Sequence, residues 1–186
     1  MRARALTFPT ELMLECAHRV VRYLRAYPDV GLTFDGKHNQ GLVAYSDSDW
    51  STAQSTAGWC IMLAGVAVAW ERKRQQCVAL SSTEAEIISA SRAALEVVYL
   101  RGLLTELGFP PEGPTVLYVD NTGAVELSRD PRSCQRSRHV ERRFLKVREL
   151  VASGEVEVRF IPTADNRADV FTKSTIDVAT FRKHTG

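Results

Sequence analysis

Cysteine is scarce and scattered. The four residues, Cys16, Cys60, Cys77 and Cys134, form no CxxC pair and none sits at zinc-finger spacing from a histidine. The pattern argues against a disulfide framework and a zinc site, and the thiols read as reduced, mostly structural residues. There is no apolar run long enough to span a bilayer. The first residues, MRARALTFPTEL, are basic but lack the apolar core of a secretion signal. A soluble intracellular protein is the expectation. An excess of charge of either sign is also missing: 24 Lys and Arg stand against 22 Asp and Glu, a net charge of +2. Total charge therefore says nothing about nucleic acid, and only local clusters can. Internal repeats and low-complexity tracts are absent. What remains is 186 residues of which 45% are hydrophobic, enough for one domain with a sizeable core and a short extra segment.

Periodicity and breakers divide the chain. Leu12, Cys16, Val20 and Leu24 lie near helical spacing and predict a helix over Glu11–Ala26, opened by Pro9-Thr10 and broken at Tyr27-Pro28. Strands are predicted at Gly41–Asp47, Ala57–Leu63 and Val66–Arg72, with short turns that imply antiparallel neighbours. A long helix follows over Ser82–Leu107, its core face assigned to Ile88, Leu95, Val98, Leu103 and Leu107, and is stopped by Gly108 and Pro110-Pro111. The rest alternates: strand Thr115–Asp120, helices Thr122–Arg129 and Val140–Ser153, strand Glu155–Ile161 and helix Asn166–Lys173. Strands alternating with helices imply parallel pairing. The expectation is a mixed α/β fold: a five-stranded sheet, three strands antiparallel and two parallel, with helices on both faces. It occupies 41–175, after an arm at 1–40 and before a tail at 176–186.

Acidic residues recur where this scheme ends a strand or opens a helix: Asp47, Glu86, Asp120 and Asp169. Carboxylates brought together from separate elements repel one another unless a cation lies between them. Oxygen-only donors suit Mg²⁺, so convergence of the four would make a metal-dependent phosphodiesterase. Neighbouring acids compete for these positions. Asp49 could replace Asp47. Either Glu84 or Glu86 could complete a capping box, with Ser81 or Thr83 respectively. Asp120 could cap the following helix, and Asp165 competes with Asp169.

Several stretches carry a specific resemblance: YSDSDWS, STAGWCIML, VAWERKRQQCVALSSTEAEIISAS, YVDNTGAVELS, SRHVERRFLKVRELVASGEV and FIPTADNRADVFTK. In this order they resemble the ribonuclease H domain of copia-type LTR retrotransposon Pol polyproteins. PTELMLECAHRVVRYLRAYPDVGLTF resembles the segment joining reverse transcriptase to that domain. The resemblance implies a ribonuclease H fold with Asp47, Glu86, Asp120 and Asp169 as catalytic metal ligands. It implies two Mg²⁺ ions, with Mn²⁺ as a substitute, and hydrolysis of the RNA strand of an RNA–DNA hybrid beside the reverse transcriptase of the same polyprotein. The implied setting is a cytoplasmic virus-like particle or the nucleus. Asp47 would bridge the metals, Glu86 and Asp120 would hold the leaving-group ion, and Asp169 the nucleophile-side ion. YVDN lacks the second Asp of a polymerase palm, and helix follows it. The His-bearing loop of cellular ribonucleases H is missing before Asp169.

Hybrid contacts are expected from the basic run between Arg129 and Arg148, chiefly Arg136, Arg138, Arg142 and Arg143, through charge-assisted bonds to phosphates, while His139 in SRHVE matches a family histidine that would orient substrate or support the site, or else caps the helix start. Ser48, Gln75 and Asn121 are the polar residues expected near 2′ hydroxyls. Trp59 and Trp70 read as packing residues, and Trp50, which follows the acidic strand, is the tryptophan placed to meet substrate.

Overall fold

The computed structural model describes residues 10–35, 40–51, 54–129, 138–173 and 177–185, excepting the side chains of 138–141, 178 and 185. The chain falls into two compact units that meet between Thr33 and Phe34. In the first, α1 runs over Glu11–Ala26, as its spacing predicts. Thr10 caps it, its side chain accepting a bond from the Met13 amide at 3.3 Å. None of its residues is buried, and Leu12, Leu14, Val21 and Leu24 are all exposed.

The second unit is built on one sheet. Strands β1 (Val43–Asp49), β2 (Thr56–Leu63) and β3 (Val66–Arg74) precede a 25-residue helix, α2 (Ser82–Glu106). Strand β4 (Thr115–Val119), helices α3 (Thr122–Arg129) and α4 (Arg138–Ala152), and strand β5 (Val156–Phe160) complete the order. A 3₁₀ turn at Thr163–Asp165 leads to the single turn of α5 (Asp169–Thr172) and then to α6 (Val178–Thr185). The sheet order is β3-β2-β1-β4-β5. The β1–β2 and β2–β3 pairs are antiparallel, and β1–β4 and β4–β5 are parallel. This is the mixed sheet the sequence predicts. The β2–β3 hairpin turns on Ala64 and Gly65, both with positive φ (51° and 79°). That is the backbone of the tight turn whose twist matches paired strands.

Two expectations need correction. Of the predicted core face of α2, Ile88 is buried and Val98 packs against the core, but Leu95, Leu103 and Leu107 are exposed. The helix meets the sheet through Ile87, Ala90, Ala93, Ala94 and Val97. Small side chains let the helix axis approach the strands closely, so alanine marks the buried face and leucine does not. The predicted tail is also partly helical. Within α6, Lys183 bonds the Ala164 carbonyl at 2.9 Å and the Asp165 carboxylate at 2.6 Å, and His184 is buried. No helix among the described residues is long and apolar enough to cross a membrane.

Gly58 fixes the spacing of three layers. It lies opposite Asp47 in the β1–β2 ladder. Its carbonyl accepts the Ser89 hydroxyl of α2 at 3.0 Å. A Cβ at this position would come within 2.7 Å of both Phe171 Cβ and Thr172 Cγ2 in α5. Phe171 Cβ is attached directly to the α5 backbone, so relief of the clash requires α5 or β2 to shift. Gly58→Ala is expected to destabilise the domain by roughly 1–3 kcal/mol, the usual range for overpacking, seen as a lower urea midpoint with an unchanged m-value.

Candidate metal centre

Adjacent residues of β1 point to opposite faces of the sheet, and the site exploits that alternation. Asp47 reaches α5, its Oδ2 accepting the Thr172 hydroxyl. Ser48 reaches α2, its amide and hydroxyl both donating to Glu86 Oε1 at 3.0 and 2.7 Å. Asp120, directly after β4, accepts the Thr163 hydroxyl on Oδ2 at 2.8 Å. One carboxylate oxygen from each of Asp47, Glu86 and Asp120 lies within 4.8 Å of the others. Asp47 and Glu86 are only 5% exposed.

Local structure separates these acids from their competitors. Ser81 caps α2 by accepting the Glu84 amide at 3.2 Å, and Glu84 Oε2 accepts the Leu80 amide at 2.9 Å. Glu84 is thereby committed to the helix start, and Glu86, half a turn on, joins the cluster. Asp49 is exposed at the end of β1. Asp165 is exposed and paired with Lys183. Asp169 is buried at the start of α5, with Oδ2 paired to Lys173 and Oδ1 without a partner among the described residues. It stands outside the close group of three, although its charge acts on Asp47.

Burial and crowding set the electrostatics. Asp47 is raised from 3.8 to about 6, first by desolvation and then by the Asp120 and Asp169 charges, against the Thr172 bond. Desolvation and the Asp47 charge push Glu86 well above its ordinary value, opposed by the Ser48 bonds. Glu86 Oε2 is buried with no partner among the described residues. A buried carboxylate oxygen with no protein donor, close to two further carboxylates, is free to act as a ligand. The donor set is all oxygen and anionic, which fits a hard divalent ion. Cys60, by contrast, is an inert thiol pushed up to about 12 by burial.

The residues expected to touch nucleic acid differ in what they can offer. Gln75 is a correction: it is 1% exposed and its Nε2 donates to the Ala85 carbonyl at 2.9 Å, tying β3 to α2, so it offers nothing to a groove. Ser48 is occupied by Glu86. Asn121 Oδ1 caps α3 through the Ala124 amide at 3.0 Å. Arg142 is exposed, and the half-buried Arg143 points Nη1 at Cys77 Sγ, 3.6 Å away. Arg136 and the side chains of Arg138 and His139 lie outside the described residues. Trp50 is 43% exposed, with its indole nitrogen donating to the Ala79 carbonyl at 3.1 Å. Sequence reasoning missed the supporting residues Gly58, Thr163, Asn166 and Thr172. Asn166, wholly buried, donates to the Ser46 carbonyl next to Asp47 at 3.0 Å. Thr163, Asn166 and Thr172 lie in the FIPTADNRADVFTK stretch and Gly58 in STAGWCIML, but neither stretch shows the contacts these residues make.

Solved structures with the same arrangement of strands and helices define the class. The N-terminal RNase H domain of a Mycobacterium tuberculosis protein matches with a TM-score of 0.55 at 13% identity, over 77% of this chain and 97% of that one. An RNase H1 solved in complex with RNA/DNA hybrid matches at 0.53 and 15% identity, over 74% of this chain and 98% of that one. The fold is that of ribonuclease H. No profile of a known protein family matches the chain. Among curated proteins, the retrovirus-related Pol polyprotein from transposon RE1 of Arabidopsis thaliana is 36% identical over 89% of this chain. That from transposon TNT 1-94 of Nicotiana tabacum is 34% identical over 92%. Over about 90% of its length the chain is homologous to retrovirus-related Pol polyproteins of copia-type transposons, and this stretch of it has the ribonuclease H fold. It spans only 12% and 13% of the length of these two relatives.

The raised carboxyls give a signed pH dependence. The folded, metal-free domain keeps a proton on Asp47 that the unfolded chain releases near 3.8. Its contribution is therefore most favourable below that value and is lost as pH rises towards about 6. Asp47→Asn is expected to stabilise the metal-free protein at neutral pH by on the order of 1–3 kcal/mol. It should also abolish any stabilisation by Mg²⁺. Urea denaturation across pH, with EDTA or with Mg²⁺, measures both effects.

Proposed function

We propose that this domain hydrolyses the RNA strand of RNA–DNA hybrids with two divalent metal ions, during reverse transcription by the polyprotein it comes from. The observation that carries the reading is the convergence of Asp47, Glu86 and Asp120, with Glu86 Oε2 buried and without a partner among the described residues. When bound, Mg²⁺ would supply an activated water and charge neutralisation at the leaving oxygen. The chain's part is to hold and orient. Asp47 at the centre of the group, with Glu86 and Asp120 beside it, would ligate one position. Asp47 with Asp169 would serve the second, once Asp169 releases Lys173. Asp47 lies on β1 and Asp120 directly after its parallel neighbour β4, so the sheet pairing sets their separation before substrate arrives.

Exposed Arg142 and the basic run around it are the phosphate-binding element of this proposal, together with Arg72, Lys73 and Arg74 at the end of β3. The reverse transcriptase of the same polyprotein is the partner, and the exposed apolar residues of α1 suit the junction with it. The setting is a cytoplasmic virus-like particle or the nucleus.

A labelled RNA–DNA hybrid incubated with the protein and Mg²⁺ or Mn²⁺ tests the reading. Cutting of the RNA strand alone is expected, and Asp120→Asn should lower it by a factor of about 100 or more, as when a charge that stabilises the transition state is removed. Hybrid binding without cutting, even with the reverse transcriptase added, would replace the enzyme by a binding module.

A further inference from the structure

Each acid of the close group accepts one hydroxyl, and each hydroxyl comes from a different place. Ser48 of β1 donates to Glu86 Oε1 at 2.7 Å. Thr163 of the 3₁₀ turn donates to Asp120 Oδ2 at 2.8 Å. Thr172 of α5 donates to Asp47 Oδ2. In all three pairs the residues are at least 38 positions apart in sequence, so none is a local capping bond. For Glu86 the consequence is explicit: Oε1 accepts two hydrogen bonds from Ser48, and Oε2 has no partner among the described residues. A hydroxyl that binds one oxygen of a carboxylate fixes its rotation and chooses which oxygen faces the centre.

We propose that Ser48, Thr163 and Thr172 are positioning residues, a shell of three hydroxyls that orients the carboxylates for metal. The proposal rests on the metal reading above. It reassigns Ser48, whose hydroxyl is turned to Glu86 and not outward to a ribose. The shell also links the ligands to the fold. Thr172 abuts Gly58, and Thr163 begins the turn whose Ala164 and Asp165 are held by Lys183. Groups that orient metal ligands in this way typically change affinity about 10–100-fold when removed. Ser48 and Thr172 should stand higher in that range than Thr163, which is exposed and competes with water.

The test is Mg²⁺ and Mn²⁺ titration calorimetry on the full 186-residue chain, with melting in EDTA as the folding control. Ser48→Ala and Thr172→Val are expected to weaken binding about 10-fold or more, and Thr163→Val about 3–10-fold, at unchanged melting temperature. Ser48→Thr, which restores the hydroxyl, should return affinity to within about two-fold, an outcome a merely structural role would not give. Should Thr172→Val fail to fold, half-buried Ser48 decides the matter. Wild-type affinity in folded Ser48→Ala would overturn the positioning shell and leave the metal centre standing. Absence of binding by the unaltered chain would overturn the metal centre itself, and the shell with it.

Discussion

Like charges held together away from water are the constraint around which the domain is arranged. Asp47 and Glu86 are nearly inaccessible, and Asp120 shares their space. Such a group is unfavourable in every protonation state without a cation: neutral carboxyls forgo their hydration, and ionised ones repel. The fold tolerates it because the surrounding frame is over-determined. The sheet is closed by helices on both faces, and each acid is tied by at least one hydrogen bond from a different element. Asp169 and Lys173 show the alternative, a carboxylate neutralised from within by a lysine one turn away.

That frame depends on close approach more than on bulk. Alanines line the α2 face, a glycine sits under α5, and Asn166 bridges to the backbone of β1. Each shortens the distance between layers, and short distances bring side chains from opposite faces of one strand into contact with two helices. Larger apolar residues at these points would bury more area and separate the acids.

Much of this was legible in the sequence, for reasons particular to each element. The strands were readable because β-branched and aromatic runs end at turn residues, and α1 because Thr10 and the i, i+4 apolar spacing agree. Asp120 was readable because an apolar run delivers it to a strand end. Glu84 and Glu86 could not be separated by spacing, since both satisfy a capping pattern. Contacts made across the fold distinguish them: the Leu80 amide holds Glu84 at the helix start, and Ser48 holds Glu86 beside Asp47. Spacing places Ile88 and Val98 correctly on the buried side of α2 but not Leu95, Leu103 and Leu107, because apolar residues are spread around this helix without strong periodicity. The burial of Gln75 was hidden because a polar residue in a basic stretch looks exposed until its amide is seen to join β3 to α2. Gly58 and the threonines were invisible because their roles lie in contacts made across the chain.

The bond from Asn166 to Ser46 spans 120 residues, and that from Thr172 to Asp47 spans 125. Contacts so distant in sequence close late in folding, after the local hairpin and helices have formed. During synthesis the segment bearing Thr163, Asn166, Asp169 and Thr172 emerges long after β1 does. A nascent chain can therefore have its first acids folded into the sheet while their hydroxyl and amide supports are still missing. Competence is acquired only when the far end of the domain is in place, so a prematurely terminated translation product cannot assemble the centre.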